Sequence, residues 1–363
     1  MSTYETRKIQ IRGKPAWVIG SEDGYDADAT AYLKHCLARR ESPNTVEHAA
    51  RSLTYYLNFL AETGTTTAEV VLMSYSDQFA HFAAFQDYLL AGEHSERSRG
   101  VLPQSVNKYT SDVRRFYLFL SKECGYPVLS VLEKRTLGYR TAAGTARERT
   151  VYHYPGALSP EPKQAHTAED EEIRTVLSAC TGIRDRLLIR LLADTGLRIG
   201  EALGIRYAED LDLEAKQVTV VFREDNPGGA RAKYAENRSL YYSSATAADL
   251  SEYLSAYADR LIKTELLFVT REGKPLTEGA AYRMFRRLGK KTGVYLTPHM
   301  LRHYFATKRY EEGWRLEEIS LAFGHRTLAT TRKYIALDER DVWKKEQAFH
   351  QSRDLGIHLE GLA

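Results

Sequence analysis

Between residue 26 and about residue 125, apolar side chains recur at the spacing of one helix face. Tyr32, Leu33 and Leu37 mark a first helix. Ala49, Leu53, Tyr56, Leu57 and Leu60 mark a second, opened by Ser42-Pro43 and closed at Gly64. Phe79, Phe82, Phe85, Tyr88 and Leu89 mark a third over roughly 76–91, and Val106, Tyr109, Val113, Phe116, Tyr117 and Leu120 a fourth that starts at Pro103. The ends carry physical signals. A serine hydroxyl accepts from an orphan N–H, proline loses nothing in the first turn, and glycine takes the left-handed turn that stops a helix. Four such helices predict a small bundle over residues 25–130. Ahead of them, Ile9, Ile11, Trp17 and Val18 alternate loosely around Gly13-Lys14-Pro15. This predicts a short hairpin, an appendage over residues 1–24 read as a solvated edge.

Over residues 131–164 the periodicity fades. Arg135, Arg140, Arg147 and Arg149 lie scattered among Gly, Ala and Thr, and the stretch ends in YPGALSPEPK. A basic, proline-punctuated linker is expected. Helical spacing returns with a capping start at Thr167 and Asp170, then Ile173, Val176, Leu177, and Leu187, Leu188, Leu191, Leu192. Gln217 to Arg223 alternates as a strand, Asp225-Asn226-Pro227-Gly228-Gly229 turns, and Arg238 to Tyr242 returns, so Lys233 lies on a hairpin. Helices over about 246–261 and 277–292 flank a short strand at Leu266 to Val269. Thr297-Pro298 opens another helix. The expected class is mainly α with a small antiparallel sheet, α+β. A second domain spans 165–340, followed by a tail, 341–363, whose Val342, Trp343 and Phe349 suit packing on a neighbouring subunit or on their own domain.

Composition bounds this picture without deciding it. A length of 363 residues suits two domains, and 27% charged with 43% hydrophobic residues is ordinary for a globular chain. The net charge of +3 gives no argument for nucleic acid by itself. Its distribution is more useful: residues 1–130 hold 14 Lys/Arg against 15 Asp/Glu, and the remainder 37 against 33. Arg283, Arg286, Arg287, Lys290 and Lys291 form a run with no acid among them, a candidate DNA contact, as are Arg114 and Arg115. Cys36, Cys124 and Cys180 fit neither a disulfide framework nor a zinc spacing, so no metal or cofactor is expected. With no apolar leader and no long apolar run, the expectation is a cytoplasmic chain away from membranes.

The chemistry gathers late in the sequence. His299 and Arg302 are three apart on the helix opened by Thr297, so they share a face suited to a phosphate. Arg198 in TGLRIGE, with Glu201 three residues on, reads alone as a surface ion pair. Taken with Lys233, the HMLRH motif, Gly324-His325 and Tyr334 nine residues later, the set resembles the tyrosine recombinase (phage integrase) family.

That resemblance implies a helical core-binding domain followed by a catalytic domain. It implies Tyr334 as nucleophile, Arg198 and Arg302 as phosphate clamps, His299 and His325 as further donors, Lys233 as the hairpin lysine and Glu201 as a supporting acid. The implied reaction is cutting and rejoining of double-stranded DNA at specific sites through a 3′-phosphotyrosine, by a homotetramer, without ATP or metal. An integrase or transposase of a mobile element is the expected subtype. A type IB topoisomerase-like relaxing activity and a catalytically silent DNA-binding regulator are the alternatives. A phenol has a reference pKa of about 10, so the nucleophile depends on its neighbours. A lysine can release a proton to a leaving oxygen, which an arginine cannot.

Overall fold

The computed structural model describes residues 3–11, 14–95, 99–140, 146–160, 167–223, 237–325, 330, 331 and 334. The chain divides into two compact units, Met1–Lys163 and Gln164–Ala363.

The first unit opens with an antiparallel sheet of β1 (Glu5–Ile11), β2 (Lys14–Ser21) and the short β3 (Gly24–Tyr25). Five helices follow: α1 (Ala27–Ala38), α2 (Pro43–Thr63), α3 (Thr67–Leu72), α4 (Tyr75–Ala91) and α5 (Pro103–Glu123). Four of these match the sequence pattern. Ser42 caps α2 by accepting from Thr45 N–H, and Gly64 ends it at φ 65°. The fifth, α3, is only six residues long, with Val70 and Val71 buried and a Thr66/Glu69 capping box, too short for a periodicity to register.

Two expectations need correction here. The N-terminal hairpin is no appendage: β2 buries Trp17 and Ile19 in the same apolar cluster as the helices. Only β1 keeps the exposed character of an edge. The expected linker contains a ribbon, β4 (Glu133–Arg140) paired antiparallel with β5 (Ala146–His153) in unbroken register from Glu133↔His153 to Arg140↔Ala146. Neither strand has an apolar face, so no alternation announced it.

The second unit is built from α6 (Asp170–Ser178), α7 (Ile183–Thr195), α8 (Ile199–Leu203), the strands β6 (Leu211–Asp212), β7 (Gln217–Val220) and β8 (Arg238–Tyr241), then α9 (Ser244–Ala256), α10 (Ala258–Leu261), α11 (Glu278–Thr292), α12 (Pro298–Glu311) and α13 (Leu316–Phe323). The strands form one antiparallel sheet in the order β6-β7-β8. Helix α6 is capped at Glu169, two residues later than expected, because the Glu172 carboxylate accepts from Glu169 N–H. Strand β7 stops before Arg223, whose guanidinium forks onto Asp210 at 2.7 and 2.6 Å. Leu266 to Val269 are buried yet form isolated bridges in place of a strand. The expected turn at 225–229, Lys233 and the tail 341–363 lie outside the described residues. Among the described residues no helix is long and apolar enough to cross a membrane.

Candidate active site

The site begins with a helix stop. Gly196 ends α7 in the left-handed region at φ 61°. A side chain there would be strained by the backbone and would also meet the Phe323 and Phe305 rings at 2.7 and 2.8 Å. The turn leaves Arg198 extended at the N-cap of α8. Three residues on, Glu201 accepts from Arg198 N–H at 2.9 Å and from its Nη1 at 2.9 Å. Glu201 thus caps the start of α8 as well as pairing with Arg198, and it is buried, which corrects the reading of a surface ion pair. Arg238 on β8 donates through Nη2 to the second Glu201 oxygen at 2.7 Å and through Nε to the Ala322 carbonyl at 2.7 Å. Burial pushes the Glu201 carboxyl up, but Arg238, Arg302 and Arg198 outweigh it and hold the group below the usual range.

Helix α12 adds the next layer. Thr297 caps it by accepting from Met300 N–H, and Pro298 fills its first turn. Arg302 is 2% exposed, with Nη1 donating to the Gly196 carbonyl and Nη2 to the Phe323 carbonyl at 3.2 Å. Its guanidinium lies 3.7 Å over the Phe323 ring. Burial, then repulsion by Arg198, lowers its pKa to about 9. Two nitrogens of the cluster, Arg302 Nε and Arg238 Nη1, are buried without an acceptor among the described residues. Such donors are costly to leave unmade and suit an incoming anion.

Gly324 ends α13 at φ 61°, and His325 follows immediately. Arg302 Nη2 reaches His325 Nε2 at 3.0 Å, and Nδ1 lies 2.9 Å from Thr331 Oγ1. A guanidinium can only donate, so Nε2 accepts and the ring proton sits on Nδ1. Burial, with Arg302, Arg198 and Arg238 adding repulsion, lowers the His325 pKa to about 4. His299 and His303 are also held below the ordinary histidine value, chiefly by burial. All three imidazoles are therefore neutral at pH 7.

Tyr334 packs into this ring of groups. Its ring centroid lies 4.7 Å from His303, 5.2 Å from His299, 5.3 Å from Phe323 and 5.4 Å from His325. The Arg302 guanidinium is 5.3 Å from the same centroid. His303 Nδ1 donates to the Tyr334 carbonyl at 3.2 Å. A phenol thus stands beside a buried fork and neutral imidazoles, with the partly exposed Arg198 in the same cluster, a set that can bind a phosphodiester and attack its phosphorus.

Arg198, Glu201, His299, Arg302, His325 and Tyr334 are brought together. Lys233 falls outside the described residues. The basic run on α11 is less free than its sequence implies: Arg287 pairs with Asp185 at 2.7 Å, and Lys291 donates to the Ala179 carbonyl at 2.8 Å. Arg283, Arg286 and Lys290 are exposed. In the first unit, Arg115 pairs with Glu41 at 2.7 Å, and the Arg114 guanidinium lies 4.8 Å from the Tyr154 centroid. The sequence reading did not give His303, Phe323 or Thr331 a role, and noted Arg238 only as the start of a strand.

Comparisons with known proteins bear on this geometry. Residues 166–340 match the model of the phage integrase family. Transposase A from transposon Tn554 of Staphylococcus aureus is 24% identical over 357 residues, covering 93% of this chain and 96% of that protein. Tyrosine recombinase XerD of Staphylococcus aureus is 31% identical over 218 residues, covering 56% of this chain and 70% of XerD. Among solved structures, the Tn1549 transposon integrase in complex with transposon right end DNA matches at TM-score 0.60 and 16% identity, covering 88% of this chain and 98% of that one. XerH recombinase bound to its difH substrate matches at TM-score 0.59 and 20% identity, covering 89% and 85%. At these identities the structures speak to the fold, which is mainly helical with small antiparallel sheets.

Proposed function

Because the chain belongs to the tyrosine recombinase (phage integrase) family, we propose that it is the strand-exchange enzyme of a mobile element, with Tyr334 as its nucleophile. The enzyme is a site-specific DNA recombinase. Topoisomerase-like relaxation and a silent regulator are not favoured, since the relatives are transposases and recombinases. We assign the first unit to DNA binding and the second to chemistry, and expect a homotetramer on DNA, with two duplexes to exchange.

The observation that carries the residue assignment is the convergence of His299, Arg302 and His325 around the Tyr334 ring, with Arg198 held in the same cluster by Glu201. In the proposed step the Tyr334 oxygen bonds to the scissile phosphorus as the bond to the 5′-oxygen breaks. The products are a 3′-phosphotyrosine and a 5′-hydroxyl. The phenolic proton passes to a neutral imidazole, for which His299 stands at the exposed side, and the leaving oxygen takes a proton from Lys233. Rejoining reverses these transfers, and the ester bond retained in the intermediate makes ATP unnecessary. Arg302 and Arg198 donate to the non-bridging oxygens, where charge builds in the transition state. One such donor is worth about 3 kcal/mol, or two to three orders of magnitude in rate.

Suicide substrates carrying the ends of the chain's own element test this reading. We expect a covalent protein–DNA adduct with the unaltered chain and none with Tyr334→Phe, which keeps the ring and loses the oxygen. An adduct that persists in Tyr334→Phe would remove Tyr334 from the role.

A further inference from the structure

We propose that the β4–β5 ribbon is a DNA-binding element of the first unit, holding duplex phosphates separately from the cluster around Tyr334. The inference rests on the reading that the chain acts on DNA.

The ribbon is firmly rooted and otherwise bare. Leu129, Val131 and Leu132 before it, and Tyr154 after it, are buried in the helical core. Val131 N–H donates to Gln78 Oε1 at 3.1 Å, Gln86 Nε2 donates to the Gly156 carbonyl at 3.0 Å, and Asn107 bonds both ways to the Leu158 backbone. Between these roots, Lys134, Arg135, Thr136, Leu137, Glu148 and Thr150 are exposed. Among its described side chains none is buried; a two-stranded ribbon without a buried face is marginal in water, and packing of the described side chains does not account for this sequence.

Charge identifies the occupant. The whole chain holds 51 Lys/Arg against 48 Asp/Glu; residues 133–153 hold 5 against 2, which leaves 46 of each elsewhere. The ribbon thus accounts for the entire formal excess. The register puts positions 135, 147 and 149, all arginine, on one face, and Lys134 with Arg140 on the other. Arg135 pairs with Glu133 at 2.7 Å, but both are exposed, and such a pair is readily exchanged for a phosphate. A second copy of the chain, formally neutral outside its own ribbon, offers no acidic excess to match. A duplex does, and its major groove, about 12 Å wide, admits a two-stranded ribbon.

The test uses the full chain with Tyr334→Phe, so that binding is read without chemistry, and a short duplex of arbitrary sequence over a salt series. Replacing Lys134, Arg135, Arg140, Arg147 and Arg149 with alanine should lower the slope of log affinity against log salt by on the order of 3 to 4, at about 0.9 per phosphate contact. Affinity at moderate salt should fall at least roughly tenfold. A companion with the four arginines changed to lysine and Lys134→Arg should keep the slope. An unchanged slope in the alanine variant overturns the proposal, as does an equal loss in the companion. A loss of self-association at unchanged slope makes the ribbon a protein contact and overturns it too. With Tyr334 restored, the alanine variant at saturating concentration should still form the covalent adduct, which shows that it folds. Failure of the recombinase reading would appear separately, as no adduct from the unaltered chain.

Discussion

The two units handle buried polarity in opposite ways. In the first, the interior is aromatic and much of its buried polarity is carried by hydroxyls and imidazoles: Tyr56 and Tyr117 share a hydrogen bond of 2.7 Å between their hydroxyls, and Tyr56 also meets His81 Nε2 at 3.0 Å. In the second, an aliphatic core that includes Leu187, Leu188, Leu191 and Leu192 stands with a cluster in which one carboxylate, Glu201, serves three guanidiniums. That cluster is short of negative charge, and in the proposed reaction a phosphate in its transition state would supply that charge.

The largest test of that contrast is Glu201→Gln. It leaves buried guanidiniums without their counter-charge and should cost the second unit about 3–5 kcal/mol. Asp112→Asn in the first unit disturbs bonds to His48 at 2.7 Å and Ser52 at 2.9 Å and should cost nearer 1–2 kcal/mol. Denaturant melts resolved by hydrogen exchange in each unit would show the difference, and equal losses would break the comparison. Next comes Arg198→Ala. Its side chain is 29% exposed, so the fold should tolerate it while strand cleavage slows by two to three orders of magnitude, measured in single turnover.

Histidine titration sharpens the contrast further. His81 and His325 are both lowered to about 4, the first by burial alone, the second by burial and then by arginines. Each folded pKa lies below the unfolded value of about 6.5. Unfolded chains therefore bind the proton first, and stability present above about pH 6.5 is lost as the pH falls toward 4. Added salt should raise the His325 pKa by screening Arg302, Arg198 and Arg238 and leave His81 where it is, as followed by NMR. A parallel response would show that burial alone governs both. The smallest effect concerns His303. His303→Asn keeps a donor near the Tyr334 carbonyl and should change cleavage only a few-fold, whereas His303→Phe loses the bond and about 1 kcal/mol, roughly five- to tenfold in rate at saturating DNA. Equal rates for the two variants would make the ring's shape the deciding property.

Much of this was legible from the sequence, for reasons that differ by element. Ser42, Gly64 and Thr297 announce helix ends because capping is local chemistry. The residues of the candidate site stand at distinctive spacings, so they could be named before their contacts were known. Arg238 was harder. An arginine on a short strand reads as solvent-facing, and only the fold brings Glu201 and the Ala322 carbonyl to it. His303 looked like a spare member of HMLRH until its Nδ1 met the Tyr334 carbonyl. The β4–β5 ribbon was misread as a linker because a strand with two solvated faces leaves no alternation to read.

The hold of α12 on Tyr334 has a genetic corollary. The helix that carries Arg302 also holds the backbone of Tyr334, through His303 and Thr307. On the proposed reading, nucleophile and phosphate fork are then expected to act from one polypeptide. Cells or reactions that mix Tyr334→Phe chains with Arg302→Ala chains should then show no complementation of strand cleavage, because no half of one defective protomer can be lent to the other.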